Sequence, residues 1–288
     1  MLRRVAMLAA GLSVLGLAGC AVPISAVHLA ARPPARPRAT SGTRVLPAAL
    51  LSPTPSPASA TAAPSAASAP PTSAAAGTTA GGCAPAATGP LSYAPGSGRT
   101  VALTFDDGPG GSTAAILAIL ARYGVPATFF NIGVNMASRP GLVRAEAAAG
   151  SALGDHTWDH PDMALLSAAA QAAELDRMAA EQRALTGTVP CVFRPPSDDY
   201  NATTLALAKQ RAMTVWTWSV DTQDWMANGS GSSYWVQRII GLAEAEGGHL
   251  LHPVVLMHNQ VIGNPATVSA LPTIIEFFRA RGYAFVTL

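Results

Sequence analysis

Strand-like and helix-like runs alternate from residue 100 to the end of the chain at residue 288, and this alternation limits the possible fold more than any other feature. Residues 100–105 are apolar and β-prone, whereas residues 113–123 carry apolar side chains at helical spacing. Strand and helix then repeat up to a closing strand at residues 283–288. Repeated βα units build a mainly parallel sheet covered by helices, either doubly wound or closed as a barrel. We therefore predict an α/β fold.

The remaining elements follow from the same periodicities. Strands are predicted at residues 127–132, 151–155, 191–194, 214–220 and 254–257, and helices at residues 141–149, 167–185, 201–211, 234–245 and 266–281. In either α/β arrangement, ligands bind at the carboxyl ends of the strands. Polar residues at those ends are therefore the first candidates for function.

Five polar clusters lie in order at these strand ends, in a chain with only 12% charged residues. A polar group at a strand end is costly to bury unless it is paired or bound to a ligand. The clusters are residues 104–109 (TFDDGP), 156–160 (HTWDH), 194–196 (RPP), 221–225 (DTQDW) and 256–258 (LMH). Their positions and their chemistry agree, and together they predict one metal-dependent hydrolase site.

Asp107, His156 and His160 are the predicted metal ligands. The four-residue spacing of the histidines puts both imidazoles on one side of a helix or tight turn. Two histidines and one carboxylate are a common catalytic set that leaves positions open for water and substrate. Because neighbouring side chains of an extended strand point in opposite directions, Asp106 is expected to face elsewhere and to be free as a base. The competing interpretation is two structural histidines and an ordinary Asp-Gly turn.

Three further residues are predicted to support catalysis. Arg194 precedes two prolines, which fix its direction, and a buried Arg beside Asp106 would keep that carboxylate ionised. His258 ends an apolar strand, and Asp224 is the carboxylate that would pair with it. Such a pair keeps the imidazole protonated near neutral pH, ready to act as an acid. The competing interpretations are a surface ion pair for Arg194 and a satisfied core residue for His258.

In this order and spacing, the clusters resemble those of the polysaccharide deacetylase family, carbohydrate esterase family four, with its NodB-homology domain. The resemblance covers residues 99–288 and implies a distorted (β/α) barrel, open on one side to admit a sugar chain. It implies catalysis by the base Asp106 and the acid His258, and a divalent metal, usually zinc and sometimes cobalt or nickel, on Asp107, His156 and His160. It further implies support by Arg194 and Asp224, and substrate contacts by Pro196, Ser197, Trp225 and Leu256.

The third cluster departs from the family pattern. Family members usually have Arg-x-Pro-Tyr-Gly, whereas this chain has Arg-Pro-Pro-Ser-Asp at residues 194–198. The Tyr position contributes a backbone N–H to the oxyanion hole, a role that Ser197 would retain. The missing ring, with Asp198 and Asp199 beside it, changes the shape and charge of the groove. Asn259 stands where many members have Asp.

The first 88 residues carry export signals rather than a core. Two arginines precede an apolar run at residues 5–18, which is shorter than the ~20 residues that span a bilayer and so indicates a signal peptide. The run ends Leu-Ala-Gly-Cys, which resembles the bacterial lipoprotein signal, so residues 1–20 are predicted as a signal ending at a lipidated Cys20. The alternative is an ordinary signal peptide with a chance cysteine. Residues 21–88, rich in Ala, Pro, Ser, Thr and Gly, are predicted to be a disordered tether.

Cysteine parity supports export. With Cys20 lipidated, Cys83 and Cys191 remain, and a disulfide between them would pin the segment that enters the catalytic domain, residues 91–288. The alternative is two unpaired thiols, which is less common outside the cytosol. We expect a membrane lipoprotein that faces the cell wall, or a secreted protein, and a monomer. The net charge of +2 gives no reason to expect nucleic-acid binding.

These features predict a hydrolase that removes acetyl groups from N-acetylated cell-wall polysaccharide, either peptidoglycan or chitin-like amino sugars, and releases acetate. One alternative is an O-acetyl-xylan esterase. A second, from another class, is a catalytically weak saccharide-binding protein of the same fold, for which the departure at Ser197 is the only support. The expected partners are a polysaccharide substrate and a membrane, reached through the N-terminal lipid anchor.

Overall fold

The protein is described by a computed structural model, which covers residues 83–84 and 86–288. The predicted signal segment with Cys20, and most of the predicted tether at residues 21–88, lie outside the described residues. No helix in the described part of the chain is long and apolar enough to cross a membrane.

The sheet has eight parallel strands and curls into an incomplete barrel. Its strands are β1 (Thr100–Gly108), β2 (Thr128–Asn131), β3 (Ala152–Asp155), β4 (Val192–Phe193), β5 (Thr214–Val215), β6 (Val220–Asp221), β7 (Val254–His258) and β8 (Ala284–Phe285). They lie in the order β5-β4-β3-β2-β1-β7-β6, and β8 pairs with the start of β1. The predicted α/β fold, a distorted barrel with mainly parallel strands, is confirmed.

Seven α-helices cover this sheet within the described residues. They are α1 (Thr113–Tyr123), α2 (Gly133–Ser138), α3 (Pro140–Ala148), α4 (Ala168–Thr186), α5 (Ala202–Gln210), α6 (Ser233–Gly247) and α7 (Pro265–Ala280). Helix α2 was not predicted, because six residues that begin with glycine and have no capping side chain give no periodic signal. It forms against a loop: the N–H groups of Gly133 and Val134 donate to the carbonyls of Thr157 and Trp158.

The single strand predicted at residues 214–220 is wrong. The structure has two short strands there, β5 and β6, at opposite ends of the sheet. The chain leaves β5 at Trp216, which bridges to Leu91, and the N–H of Thr217 donates to the carbonyl of Leu91. The apolar run is therefore continuous in sequence but crosses the open side of the barrel.

The central strand β1 is buried on both faces. Val101, Leu103 and Phe105 pack in the core between the sheet and the helices. Ala102, with Phe130 and other residues, packs in a separate cluster on the opposite face. That opposite face continues along β1 through Thr104, whose hydroxyl donates to Val255 O, to a carboxylate at the strand's end.

The segment that enters the domain is attached to the sheet at several points. A disulfide joins Cys83 to Cys191, which immediately precedes β4. Further along, the N–H of Leu91 donates to Val215 O, and the N–H of Ala94 donates to His252 O. The chain is thus fixed to the sheet before β1 begins.

Candidate active site

Both aspartates at the end of β1 face the same histidine. Nε2 of His156 lies 3.8 Å from Oδ2 of Asp106 and 3.4 Å from Oδ1 of Asp107. The expectation that neighbouring side chains point apart is therefore wrong at this position. The pairing of β1 with β2 shifts between Asp106 and Gly108, and Asp107 has a φ of 68°. A bulge of this kind re-aims a side chain that a regular strand would send to the other face.

Asp107, His156 and His160 bring their ligand atoms within 4.8 Å of one another. Oδ1 of Asp107 is buried, makes no hydrogen bond, and lies 3.3 Å from Nε2 of His160. Nδ1 of His156 contacts the carbonyl of Arg194 at 2.7 Å, which leaves Nε2 for the cluster. This set of two imidazole nitrogens and one carboxylate oxygen fits a divalent transition metal. The carboxylate oxygen, Oδ1 of Asp107, is the buried acceptor that lacks a hydrogen bond.

Burial and neighbouring charges act in opposite directions on the pKa values of Asp107 and His156. Burial alone would raise the pKa of Asp107, but the neighbouring His156, with His258 and His160, holds that pKa well below its usual range. Burial alone would lower the pKa of His156, but Asp106 and Asp107 raise it. Burial and the charge of His156 lower the pKa of His160. Metal ions bind the neutral imidazole, so protons compete with a metal at His156 and metal affinity should weaken in acid.

Arg194 is completely buried and fixes Asp106. Its Nη1 donates to Oδ1 of Asp106 and to the hydroxyl of Thr104, both at 2.8 Å. Its Nε and Nη2 donate to the carbonyls of Trp216 and Thr217, and its guanidinium carbon lies 4.2 Å from the ring centre of Phe130. The arginine therefore holds Oδ1 of Asp106 and leaves Oδ2 directed at the histidines.

Asp224 holds His258 at the end of β7. Oδ1 of Asp224 lies 2.7 Å from Nδ1 of His258, and Oδ2 accepts the backbone N–H of His258 at 2.8 Å. The hydroxyl of Thr267 also donates to Oδ2, at 2.6 Å. Burial alone would lower the pKa of His258, but the charge and hydrogen bond of Asp224 raise it to about 9.

These groups line one cavity of about 440 Å³. Asp106, Asp107, His156, His160 and His258 lie on its wall, together with Ser197, Trp225 and Leu256. Pro196 is buried outside this lining, and the preceding Pro195 lies in it instead. Asp224 and Arg194 stand behind the wall, fully buried.

Besides Pro195, three lining residues had no role assigned from the sequence: Asp221, which begins the fourth cluster, and Trp218 and Gln260, which lie outside the five clusters. Nε2 of Gln260 donates to Oδ2 of Asp107 at 3.1 Å, so this amide occupies the carboxylate oxygen that faces away from the histidines. Gln260 lies two residues beyond the fifth cluster, and proximity to His258 was the only signal for it. Asn259 is fully buried, and its amide donates to the hydroxyl of Thr113.

The third cluster has an irregular backbone. Ser197 and Asp198 have φ values of 54° and 55°, in the left-handed region that favours glycine. Ser197 is exposed on the cavity wall. Burial raises the pKa of Asp198, although the charge of Arg194 opposes this. The departure from the family pattern therefore alters the rim of the cavity and leaves Arg194 in place.

Comparison with known proteins agrees with this geometry. Residues 94–216 match the family model of polysaccharide deacetylases. A peptidoglycan-N-acetylglucosamine deacetylase of Bacillus cereus is 31% identical over 198 residues, which cover 66% of this chain and 70% of that protein. The chain belongs to the polysaccharide deacetylase family.

Some relatives in the polysaccharide deacetylase family are longer. Peptidoglycan-N-acetylglucosamine deacetylase PgdA of Listeria monocytogenes is 34% identical over 194 residues, which are 66% of this chain but 38% of that protein. The matched part thus spans well under half of that relative. Among solved structures, the Bc1960 peptidoglycan N-acetylglucosamine deacetylase has a TM-score of 0.63 and 31% identity. The match covers 68% of this chain and 89% of that one.

Proposed function

We propose that this chain is an exported, metal-dependent deacetylase that removes acetyl groups from N-acetylated cell-wall polysaccharide. One observation carries the proposal: a metal-ligand triad, a carboxylate base and a carboxylate-paired imidazole line the same cavity. The metal is zinc, with cobalt or nickel as substitutes, since two imidazoles and a carboxylate suit these ions. The names of the relatives support N-acetylglucosamine of peptidoglycan as the substrate.

We assign a separate task to each residue. When bound, a divalent metal polarises the acetyl carbonyl and acidifies water. Asp106 accepts the proton of the attacking water at Oδ2, because Oδ1 is held by Arg194. The backbone N–H of Ser197 would donate to the oxyanion, as the family's Tyr position does. His258 gives its Nε2 proton to the leaving amine, while Nδ1 is held by Asp224. The amide C–N bond breaks, and the products are acetate and a free amino sugar.

The cavity wall and the supporting residues set the substrate's position. Trp225, half-exposed, and Leu256 offer apolar surface for the acetyl group and the sugar ring. Pro195 lies in the lining where Pro196 was expected to contact substrate, so we assign the contact to Pro195. Arg194 keeps Asp106 oriented, and Asp224 raises the pKa of His258 and so keeps it protonated.

A substrate panel tests the proposal. Acetate release would be measured from peptidoglycan, chitin oligomers and acetyl-xylan, before and after metal removal with a chelator and after zinc is restored. We expect zinc-dependent release from the N-acetylated polymers and little from acetyl-xylan. Release from acetyl-xylan alone would make the chain an O-acetyl esterase. Saccharide binding without acetate release from any polymer, with zinc bound, would contradict the enzymatic proposal.

We also propose that the mature chain is a monomeric lipoprotein, anchored to the membrane through Cys20 and joined to the catalytic domain by the predicted tether at residues 21–88. The Leu-Ala-Gly-Cys sequence that ends the apolar run supports this, and the tether would let the domain reach the cell wall. Mass spectrometry of the membrane fraction should find residues 1–19 removed and a lipid on Cys20. An unmodified Cys20, or cleavage at another position, would contradict the anchor without affecting the catalytic proposal.

A further inference from the structure

The loop that joins the two histidines of the metal triad has an unfavourable backbone. Thr157 has a φ of 67° and His160 a φ of 65°. Side chains rarely adopt this left-handed region, and β-branched residues such as Thr are outliers in it. Within the loop, the N–H of His160 donates to the hydroxyl of Thr157 at 3.0 Å. This bond does not involve the N–H groups of the two intervening residues, so those groups need partners from elsewhere.

Glu174, on helix α4, accepts hydrogen bonds from both of these N–H groups. Oε2 of Glu174 accepts the backbone N–H of Trp158 at 2.9 Å and that of Asp159 at 3.0 Å. Glu174 is only 8% exposed, so this carboxylate oxygen is committed to the loop and not to solvent. One helical turn further on, the guanidinium carbon of Arg177 lies 4.3 Å from the ring centre of Trp158. Residues three apart share a helix face, so both contacts come from one side of α4.

The opposite side of the loop is also held. Gly133 and Val134, at the start of α2, donate to the carbonyls of Thr157 and Trp158 at 3.0 Å and 2.9 Å. A Cβ on Gly133 would lie 2.4 Å from the ring of Trp158, so the backbone approaches this ring closely. The loop therefore has carbonyl contacts on one side and N–H contacts on the other. The N–H of Thr157 donates to Oδ1 of Asp155 at 2.7 Å, and the two N–H groups in the middle of the loop, those of Trp158 and Asp159, both depend on Glu174.

We propose that Glu174 is a positioning residue for the metal site: its carboxylate fixes the left-handed loop so that Nε2 of His160 faces Asp107. This inference rests on the proposed metal site. Nε2 of His156 is separately oriented through Nδ1 and the carbonyl of Arg194, so His160 depends most on the loop. Without the carboxylate, two N–H groups lose their acceptor, and the loop can relax toward right-handed conformations that move His160.

Zinc affinity of the full mature chain tests the proposal. The metal would be stripped, and zinc binding measured by competition with a chromophoric chelator for the parent, Glu174→Gln and Glu174→Ala. Removal of a group that orients a ligand typically weakens metal affinity ~10–100-fold. We expect Glu174→Ala to show a loss of that size. Glu174→Gln should show a smaller loss, because an amide oxygen can still accept both N–H groups.

Asp176→Asn is the matched control, since Asp176 lies on the same helix but pairs with Arg211 at the surface. It should bind zinc like the parent. Circular dichroism and thermal unfolding identify folded variants, and a purely structural role would lower the unfolding midpoint without changing zinc affinity. Parental zinc affinity in a folded Glu174→Ala would overturn the proposal, and so would parental affinity in Glu174→Leu, which also lacks an acceptor, if the Ala variant does not fold. A parent that binds no zinc would overturn the metal site itself.

Discussion

Asp224 binds His258 twice, through the imidazole Nδ1 and through the backbone N–H of the same residue. Both oxygens of this buried carboxylate are thereby fixed, and Oδ2 also accepts the hydroxyl of Thr267. The side chain cannot turn away from the histidine without losing its other contacts. Asp224, which does not line the cavity, therefore contributes most to the high pKa of His258, and Asp106 and Asp107 add to it.

The pH dependence of deacetylation should report this pair. A general acid works only while protonated, so activity should fall as pH rises through about 9, the pKa of His258. In Asp224→Asn the attraction that raises this pKa is lost and burial lowers it, so the alkaline decline should move to lower pH. The measurement is kcat/KM against pH for both proteins. An unchanged alkaline limb in Asp224→Asn would show that His258 is not the titrating acid.

Asp106 and Asp107 should separate chemistry from metal binding. Asp107→Ala removes a ligand atom, so zinc content and activity should both fall. Asp106→Asn should keep zinc but lose proton abstraction, a step typically worth ~10²–10⁴-fold in rate. Metal content and acetate release would be measured on both purified variants. If Asp106→Asn loses zinc while Asp107→Ala retains it, the two roles are reversed.

Arg194 should contribute to stability as well as to catalysis. Replacing it with Met leaves the carboxylate of Asp106 buried without its cation, and breaking a buried ion pair in this way typically costs ~3–5 kcal/mol. Urea unfolding would measure the loss for Arg194→Met. The double variant Arg194→Met with Asp106→Leu removes both charges and should recover part of that stability. A double variant no more stable than the single one would show that the packing of the guanidinium matters more than its charge.

The disulfide at Cys83 should stabilise the domain by restricting the unfolded chain. The two cysteines are 108 residues apart, and removal of a native disulfide typically costs ~2–5 kcal/mol. Cys83→Ser with Cys191→Ser should therefore unfold at lower temperature than the parent, with zinc affinity retained. Non-reducing peptide mapping would first establish that the two cysteines are joined. Free thiols at both positions in the parent would contradict the bridge.

The sheet and most of the site could be predicted from the sequence because both depend on local signals. A buried strand that ends in polar residues is visible in a short window, and parallel βα order brings those ends together. The split between β5 and β6 could not be read in this way, since a hydrogen-bonded bridge to Leu91, more than a hundred residues earlier, decides where β5 ends.

The local rule of alternation also failed where the backbone is irregular. Alternation predicts that the side chains of Asp106 and Asp107 point to opposite faces of the sheet. Instead, the bulge and the left-handed backbone of Asp107 direct both side chains toward His156. Glu174 gave no signal because its function lies in two backbone contacts to another element. Such residues appear in sequence as ordinary helical glutamates.

The attachment through Cys83 has a mechanical consequence. A pulling force on the chain before Cys83 first meets the disulfide to Cys191, beside the amino end of β4. The hydrogen-bonded bridge at Leu91 comes later in the chain and is shielded from that force. The cavity lies at the carboxyl ends of the strands, so the pulling point and the cavity occupy opposite edges of the sheet. The residues around the metal triad would therefore lie off the line of such a force.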